Sequence, residues 1–538
     1  MTSTLKTLFS ILPLTVFWAL PLAAGLIVAF SFSFDRSAWT DLLSHPQFWP
    51  ALRLSLFSGT ASLVLSVPLA FWIAAGFHKP DTLHGLMGGF LALPHLAFAV
   101  GFGFLIMPSG LLARAVGTAA GWAVPPQWIT TQDPPGLSLV AVLVLKEVPF
   151  IVWLIAGIMA QRDFAQMTKA QFRIGRSLGH GNRSIWLRVF APQILQRMRW
   201  PLLVVWAYGA TVVDVALAIG PTQPPPLAVL VWFDLNNVDQ TLNARGTAGA
   251  MFLTAMLAVI ATLAWELARL LVPVVKRFIV RGPTAGVAPL WNGKTILCLF
   301  AAIYGLTGLM LAIMSISPLW PFPDLWPTQF RVAAWAEFFA APAPMVNSLS
   351  FAAGSTFLAL TLAVAWFETM HEKFDRYLLA SAGAALVLPA LLIADGQYLL
   401  FLRLGLNGTW AGVFLAHLTP VFAYVFIVLK GPYRAFDPRF RSVSLGLNAS
   451  AMRFWAAVKM PLLKPVLLAA AAIGIGVGVG QYVAVQLVAS GRHSTLAIEA
   501  VTLASGGSRQ LLAVYSLALM AIPLLAFVLA SRFERSWP

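Results

Sequence analysis

The chain has 538 residues, of which 59% are hydrophobic and only 10% are charged, and its mean hydropathy is +0.82. This composition is too apolar for a soluble domain, and the apolar runs reach about 20 residues, the length at which a helix crosses a bilayer. The net charge of +16 could indicate nucleic-acid binding. No nucleic-acid partner is expected, however, because the positive charges lie in alternate loops, as the positive-inside rule requires. The single cysteine, Cys298, excludes a disulfide framework and a cysteine metal cluster.

Taken in chain order, the apolar runs predict an all-α, polytopic membrane protein with about twelve transmembrane helices. The first run is longer than the core of a signal peptide, so we interpret it as a retained span. The first six spans are placed near residues 8–30, 52–76, 86–107, 137–160, 200–220 and 247–272. The second six are placed near residues 295–317, 345–367, 378–401, 410–429, 465–488 and 511–530.

The spans divide into two halves of six, residues 1–273 and 295–538, joined by a cytoplasmic linker at 274–294. Because six is an even number, both halves have the same orientation. A parallel repeat of this kind favours a two-fold axis along the membrane normal and a shared central pathway. With the N-terminus in the cytoplasm, the loops rich in Lys and Arg are cytoplasmic. The short loop 368–376, with three acids and two bases, fits this orientation least well.

Two long basic segments interrupt the apolar runs. The first basic segment, 162–199, carries eight Lys and Arg residues and one acid, and the second basic segment, 430–464, carries seven and one acid. In the first, apolar residues recur at helical spacing, which predicts a short amphipathic helix over 183–190. Gly179 is predicted to form the turn before this helix, and Pro192 to mark the start of the next one. Pro461 is the corresponding proline of the second segment.

The basic segments belong to a longer internal repeat. From the prolines onward the two copies stay in register at a separation of 269 residues, so that Gly209 corresponds to Gly478 and Leu227 to Leu496. Upstream, LPHLAFAVG at 93–101 parallels LPALLIADG at 388–396, and KEVPF at 146–150 parallels HLTPV at 417–421. The repeat predicts two halves of one design, each built around one basic segment.

The first basic segment resembles the EAA loop of the membrane subunits of bacterial binding-protein-dependent ABC importers. In that family the loop reads Glu-Ala-Ala, three residues, Gly, nine residues, then Ile-x-Leu-Pro. Gly179, Val189 and Pro192 hold the glycine, isoleucine and proline slots at the family spacing. Arg173 holds the slot of the glutamate, so the acidic residue of the family is absent.

In the second basic segment, Val458 and Pro461 fit the end of the same motif. Its turn residue is either Gly446, fifteen residues before the proline, or Asn448, thirteen residues before it. The resemblance covers most of both halves and is strongest to the fused, double-length permeases of the iron(III) and thiamine type. It implies two parallel six-helix halves of the type I ABC importer permease kind.

The resemblance also implies a mechanism, in which each segment forms a coupling helix that docks in a groove of a cytoplasmic ATPase subunit and transmits its closure. The expected contacts are apolar anchors flanked by charges: Ile185 and Trp186 with Arg183, and Phe454 and Trp455 with Arg453. The alternative is that the segments are basic surface helices that only fix the topology. That alternative does not predict two copies in register with a central turn residue, so we favour coupling.

The resemblance implies two copies of an ABC ATP-binding subunit and a periplasmic solute-binding protein as partners, in the bacterial cytoplasmic (inner) membrane. ATP and Mg²⁺ are expected on the ATP-binding subunit, with no cofactor, catalytic site or metal site on this chain. Gly293, Lys294 and Thr295 resemble the end of a phosphate loop, but that motif needs glycine where Ala288 stands. The chain is therefore expected to be a transport subunit and not an enzyme.

Charged residues within the spans are the candidates for the translocation path, because exposing them to lipid costs about 2.5–3.5 kcal/mol on insertion scales. They are Lys146, Glu147, Asp214, Asp395 and His417. The alternative for each is a satisfied internal pair. Adjacent helix positions point in different directions, so Lys146 and Glu147 are expected to find different partners. The slight excess of acids hints at a cationic substrate. The resemblance to permeases of the iron(III) and thiamine type implies a small solute or ion, thiamine-like or a metal ion.

Two other classes of protein remain open at this point. A secondary transporter with two parallel six-span repeats would need no coupling segments and would transport without ATP or a partner subunit. A membrane-embedded transferase would show a cluster of His, Asp and Glu at one interface, and the sequence shows no such cluster.

Overall fold

The structure is a computed structural model that describes residues 11–32, 34–77, 79–281 and 292–534, and these residues form helices and no β-strand. The helices of the first half are α1 (Leu20–Phe32), α2 (Arg36–Ser44), α3 (Phe48–Ala75), α4 (Pro80–Leu91), α5 (His95–Ile106), α6 (Leu111–Ala120), α7 (Leu137–Ala160), α8 (Arg162–Ser177), α9 (Asn182–Ile185), α10 (Ala191–Arg197), α11 (Arg199–Thr211), α12 (Asp214–Ile219), α13 (Leu227–Leu235) and α14 (Gln240–Arg281). Those of the second half are α15 (Gly293–Ile316), α16 (Ala333–Ala340), α17 (Ala343–Thr369), α18 (Asp375–Val387), α19 (Ala390–Arg403), α20 (Trp410–Arg434), α21 (Arg439–Gly446), α22 (Ala451–Phe454), α23 (Met460–Val479), α24 (Val483–Ala489), α25 (Leu496–Ala504) and α26 (Arg509–Glu534). Short π-helical turns at Thr15–Ala19, Trp186–Phe190 and Trp455–Lys459 and a 3₁₀ turn at Glu372–Phe374 join some of them.

Ten helical stretches within the described residues are long and apolar enough to cross a membrane, and an eleventh exists if the bent pair 372–387 and 390–403 forms one span. This confirms the predicted all-α, polytopic class. The count differs from twelve mainly because the fifth predicted span, 200–220, is divided. Its chain turns to an extended conformation at Val212, with ψ of 134°, so two short helices, α11 and α12, replace one long one.

The third and ninth predicted spans are each broken at a proline. Pro94 immediately precedes α5 and Pro389 immediately precedes α19, both with extended backbone. Proline lacks the amide hydrogen of a helix interior and disfavours helical geometry in the residue before it. The second of these breaks bends the chain by 101°. The repeated Leu-Pro motif therefore marks a break in a predicted span of each half.

The first span of each half packs on the helix that follows the Leu-Pro break of the other half, since α1 contacts α19 and α15 contacts α5. Both crossings run through the glycine that ends the repeated motif. A Cβ atom on Gly396 would collide with the backbone of Gly25, and a Cβ atom on Gly101 would lie 2.7 Å from the methyl carbon of Thr307. The two halves thus interlock by exchanging their first spans.

The internal repeat is visible in single hydrogen bonds. The amide of Leu227 donates to the hydroxyl of Ser55 at 2.9 Å, and the amide of Leu496 donates to the hydroxyl of Ser348 at 2.9 Å. Each bond satisfies the first amide of a helix, α13 or α25, with a serine from the long second span of the same half. The residues that the sequence aligned therefore occupy equivalent places.

The predicted linker, 274–294, overlaps the ends of α14 and α15, which stop at Arg281 and begin at Gly293. Its remaining residues, 282–291, lie outside the described residues, as do Ala288 and the first part of the first predicted span.

Candidate functional site

The first basic segment contains a turn where the sequence places it. After α8 the chain reverses at Gly179, whose φ of 79° lies in the left-handed region. The amides of Gly179 and His180 donate to the carbonyls of Arg176 and Gly175, which closes the end of α8. The predicted short helix follows as α9 and a π-helical turn, covering 182–190. The turn conformation predicted for Gly179 is confirmed.

The second basic segment has the same backbone, and it resolves which residue forms the turn. Asn448 has φ of 58°, whereas Gly446 is the last residue of α21. The amide of Ala449 donates to the carbonyl of Ser444, as His180 does to Gly175. Asn448 therefore corresponds to Gly179. Asparagine is one of the few residues that tolerates this conformation.

A π-helical turn ends immediately before the α-helical segment that contains each motif proline. Trp186–Phe190 precedes Pro192, and Trp455–Lys459 precedes Pro461. A proline inside an α-helix clashes with the carbonyl of the fourth residue before it, and the wider π turn relieves that clash. Val189 and Val458, in the isoleucine slots, are both half-buried in these turns.

The predicted anchors of the coupling helices face their own chain. Ile185 is only 2% exposed and Phe454 only 7% exposed. Trp186 packs against Phe71 of α3, and Trp455 is half-buried. The expectation that Ile185 and Phe454 insert into a partner is therefore wrong for this structure. Their burial instead holds each short helix against the membrane spans.

The exposed apolar side chains lie one residue before each turn. Leu178 is 69% exposed and Leu447 is 79% exposed, and they are 269 residues apart, in the register of the repeat. The sequence reasoning missed them because it searched the helix after the turn. The signal that could have found them was that the two leucines occupy equivalent positions in the repeat. The charges expected beside the helices, Arg183 and Arg453, are exposed, and so is Arg173 on α8.

Two of the three acids of the loop 368–376 form ion pairs with the second basic segment. Arg434 forms a two-pronged ion pair with the buried carboxylate of Asp375, at 2.7 and 2.8 Å. Lys459 forms an ion pair with Glu368 at 2.7 Å. The loop that fitted the predicted orientation least well is therefore paired with basic residues at the same end of the bundle.

A polar cluster lies between the two halves, where the path was predicted. The imidazole of His95 lies 3.4 Å from the carboxylate of Glu147, and its ring packs edge-on against Tyr208 at 5.0 Å between centroids. Asp214 is close enough to His95 and Tyr208 to interact with both electrostatically. These four residues come from α5, α7, α11 and α12 of the first half.

The second half completes this central cluster with aromatic hydroxyls. Tyr424 of α20 lies within electrostatic range of Glu147, and Tyr482, at the start of α24, lies within that range of Asp214. The ring of Tyr482 packs against Trp232 of the first half at 5.1 Å. Asp214 and Tyr424 are surrounded by helices but only half-buried, so they border an internal space. The first half supplies both carboxylates, the imidazole and Tyr208, and the second half supplies the other two tyrosines.

The remaining path candidates lie apart from the central cluster. The amine of Lys146 donates to the carbonyls of Phe90 at 3.0 Å and Leu93 at 2.6 Å, so it closes the break between α4 and α5. His417 is fully buried, and its Nδ1 lies 3.1 Å from the carbonyl of Val413. Lys146 and His417 therefore stabilise backbone, while Glu147 faces His95. As predicted, the neighbours Lys146 and Glu147 have different partners.

Asp395 is buried on α19, where it is 1% exposed and adjoins Thr247 of α14. Its place is the contact between the halves next to the crossing at Gly396. Of the five candidates, only Glu147 and Asp214 join the central cluster. The sequence reasoning missed His95, Tyr208, Tyr424 and Tyr482. The three tyrosines gave no signal within an apolar span, whereas His95, a histidine within the repeated motif at 93–101, was a signal that could have been used.

Comparison with known proteins agrees with this organisation. No family model matches the chain. It is 29% identical over 519 residues to the inner membrane ABC transporter permease protein YnjC of Escherichia coli (strain K12), which covers 95% of this chain and 93% of that protein. The fold is that of a multi-pass inner-membrane protein, and the chain is similar over nearly its whole length to an ABC transporter permease. Its homologue is a transport subunit, and the similarity runs through both halves and both basic segments.

Proposed function

We propose that this chain is the fused membrane subunit of an ATP-driven importer, with both halves of the translocation path on one polypeptide. The observation that carries the proposal is the pair of turn-and-helix units at Gly179 and Asn448. Each follows the fourth predicted span of its half, in the register of the internal repeat. A protein that only needed basic residues for its topology would not need the same backbone twice.

The proposed mechanism couples these units to the central cluster. Ile185 and Phe454 fix each short helix to the spans of its half, so a displacement of the helix is passed to the bundle. The exposed tips at Leu178 and Leu447 are the points that a cytoplasmic ATPase subunit would grip. Two such subunits, closing on ATP, would move the two halves relative to each other around the path between them.

The proposed substrate is a small cationic solute delivered by a periplasmic binding protein. Glu147 and Asp214 supply negative charge in the central cluster, and the tyrosine rings around them suit a cation. A small amine or a thiamine-like ring cation fits this combination of carboxylates and aromatic faces. The carboxylates are unevenly placed, since the repeat has Leu418 where the first half has Glu147.

The test is to purify the tagged chain from its native membrane and to identify and count the bound subunits by mass spectrometry. We expect two copies of one ATP-binding subunit for each chain. The proposal would be overturned if the chain alone, in liposomes, accumulated solute in response to an ion gradient, because that is the behaviour of a secondary transporter.

A further inference from the structure

The two turn-and-helix units share an apolar tip. Ile174 and Leu178 of the first basic segment are 58% and 69% exposed, and Val443 and Leu447 of the second are 64% and 79% exposed. The members of each pair are four residues apart on α8 or α21 and its turn, so they lie on one face. These two positions are apolar in both copies, which makes them the common element of the two surfaces.

The charges around this common tip differ between the copies. Four exposed positions carry cations in the first segment and neutral or apolar residues in the second: Lys169, Arg173, Arg176 and Arg183 correspond to Pro438, Ser442, Leu445 and Met452. The first surface is therefore cationic. Leu445 and Met452, which are 55% and 70% exposed, enlarge the apolar area of the second surface.

Three of the seven cations of the second segment form ion pairs with acids of their own half. Arg439 pairs with Asp437 at 2.6 Å, and Lys459 pairs with Glu368 at 2.7 Å. Arg434 is held by the buried Asp375, as described above. Arg441 and Arg453 are exposed, so the second surface keeps two cations at positions where the first has the half-buried Phe172 and the buried Ser184. Each segment contains a single acid, Asp163 or Asp437, and the other acids that pair with the second segment come from the loop 368–376.

The first surface also contains an open depression of about 440 Å³. Lys169 and Arg173 line it together with Thr168, Phe172 and Phe190. Two of these lining residues are aromatic and two are cations. This shape and charge suit an acidic side chain that reaches in from a partner.

We propose that the two ATPase-docking surfaces hold their partners by different chemistry: the first by charge, against an acidic groove, and the second by apolar contact. This inference rests on the proposed function. The occupant is an ATP-binding subunit with carboxylates around an apolar pocket. A lipid surface explains the pattern less well, because the four cations of the first surface are not repeated at the equivalent positions of the second, whereas the apolar tip is present in both.

The two docking surfaces are expected to respond differently to the salt concentration. Raising the salt concentration from about 0.1 M to about 1 M shortens the screening length from about 10 Å to about 3 Å, which weakens contacts between exposed charges. Apolar contacts are not weakened in this way. The first surface should therefore release its ATPase subunit in high salt, and the second should retain it.

The experiment uses two cysteine variants in a Cys298→Ser background, which removes the single native cysteine. Ser177→Cys and Gly446→Cys occupy equivalent exposed positions beside the two turns, and neither residue is one of the proposed contacts. The complex of each variant with its co-purified ATP-binding subunit is treated with a short thiol-to-amine cross-linker at both salt concentrations. We expect the cross-linking yield of the Ser177→Cys variant to fall severalfold in high salt and the yield of the Gly446→Cys variant to change little.

Exchanging the surface residues provides the matched control. Arg173→Ser with Arg176→Leu should make the cross-link of the Ser177→Cys variant resistant to salt. Conversely, Ser442→Arg with Leu445→Arg should make the cross-link of the Gly446→Cys variant sensitive to salt.

Three outcomes would count against these assignments. Equal salt dependence of the two cysteine variants would overturn the inference but leave the proposed function intact. The absence of a cross-link to an ATPase in both variants, at both salt concentrations, would overturn the proposed function itself. Loss of the Ser177→Cys cross-link on adding phosphatidylglycerol vesicles at low salt would overturn the inference by assigning the first surface to lipid.

Discussion

Asn448 adopts in the second basic segment the left-handed backbone conformation that Gly179 adopts in the first, with φ of 58° and 79°. Glycine reaches this conformation without steric cost, and asparagine reaches it at a small cost. A β-branched residue is strained there, at a cost on the order of 1 kcal/mol or more. The identity of these two residues is therefore set by the turn before each short helix.

We predict that Gly179→Val and Asn448→Val yield normally inserted chains with weakened ATPase binding, because each substitution opposes the turn that places a docking tip. Asn448→Gly should behave as the unchanged chain. Gly446→Val should be mild, since Gly446 is helical and no atom lies within 4 Å of the Cβ position. Co-purified ATPase is measured for all four variants. A severe Gly446→Val with a silent Asn448→Val would show that the turn is misassigned.

A second prediction separates the neighbours Lys146 and Glu147. Lys146→Met leaves the carbonyls of Phe90 and Leu93 without their donor, which costs about 1–3 kcal/mol for each buried group. We expect a lower thermal unfolding temperature in detergent. Glu147→Gln keeps the shape of the side chain and should leave that temperature nearly unchanged. If both variants unfold alike, Lys146 does not have the backbone-stabilising role described here.

The carboxylates of the central cluster are predicted to act on the substrate. Asp214→Asn and Glu147→Gln should reduce the stimulation of ATP hydrolysis by the loaded binding protein, because the negative charge that attracts a cation is removed. Each variant should still insert and bind its ATPase, since Asn and Gln keep the shapes of the side chains that they replace. Asp395→Asn, outside the cluster, is the matched control. Unchanged stimulation in both cluster variants would place Glu147 and Asp214 among purely structural residues.

The crossing of the first span and the bent span supplies a prediction about stability. Gly396→Val places a side chain against the backbone of Gly25, and backbone cannot move aside as a flexible side chain can. We expect a loss of stability on the order of 1–3 kcal/mol, the usual range for overpacking. Gly383→Val is the control, because no atom lies within 4 Å of its Cβ position. Equal unfolding temperatures for the two variants would contradict the described crossing.

Much of this fold follows from sequence because bilayer thickness fixes span length and the repeat fixes register. The repeat matched Leu227 with Leu496, and in the structure the amides of both residues donate to a serine hydroxyl. Broken spans were harder to foresee, since Pro94 and Pro389 lie within runs whose apolar length suits one straight helix. Hydropathy indicates how long an apolar run is, but not whether the chain bends within it.

The site was predicted only in part, because charge within a span shows that a residue is buried but not what it faces. Lys146 and Glu147 are adjacent, yet one satisfies backbone carbonyls and the other joins the central cluster. Tyr424 and Tyr482 reach that cluster from the other half, through contacts between residues distant in sequence. Likewise, periodicity identified the apolar face of the short helix at Ile185. Only the packing shows that this face is turned inward.

We propose that this chain moves its substrate with energy from ATP hydrolysed on a partner subunit. The most direct measurement is ATP hydrolysis in proteoliposomes that contain the chain alone, the chain with its ATP-binding subunit, or this complex with the loaded binding protein. We predict no hydrolysis by the chain alone, a low rate for the complex, and a higher rate when the binding protein is added. Robust ATP hydrolysis by the chain alone, or a hydrolysis rate of the complex that does not change when the binding protein is added, would contradict the proposed function.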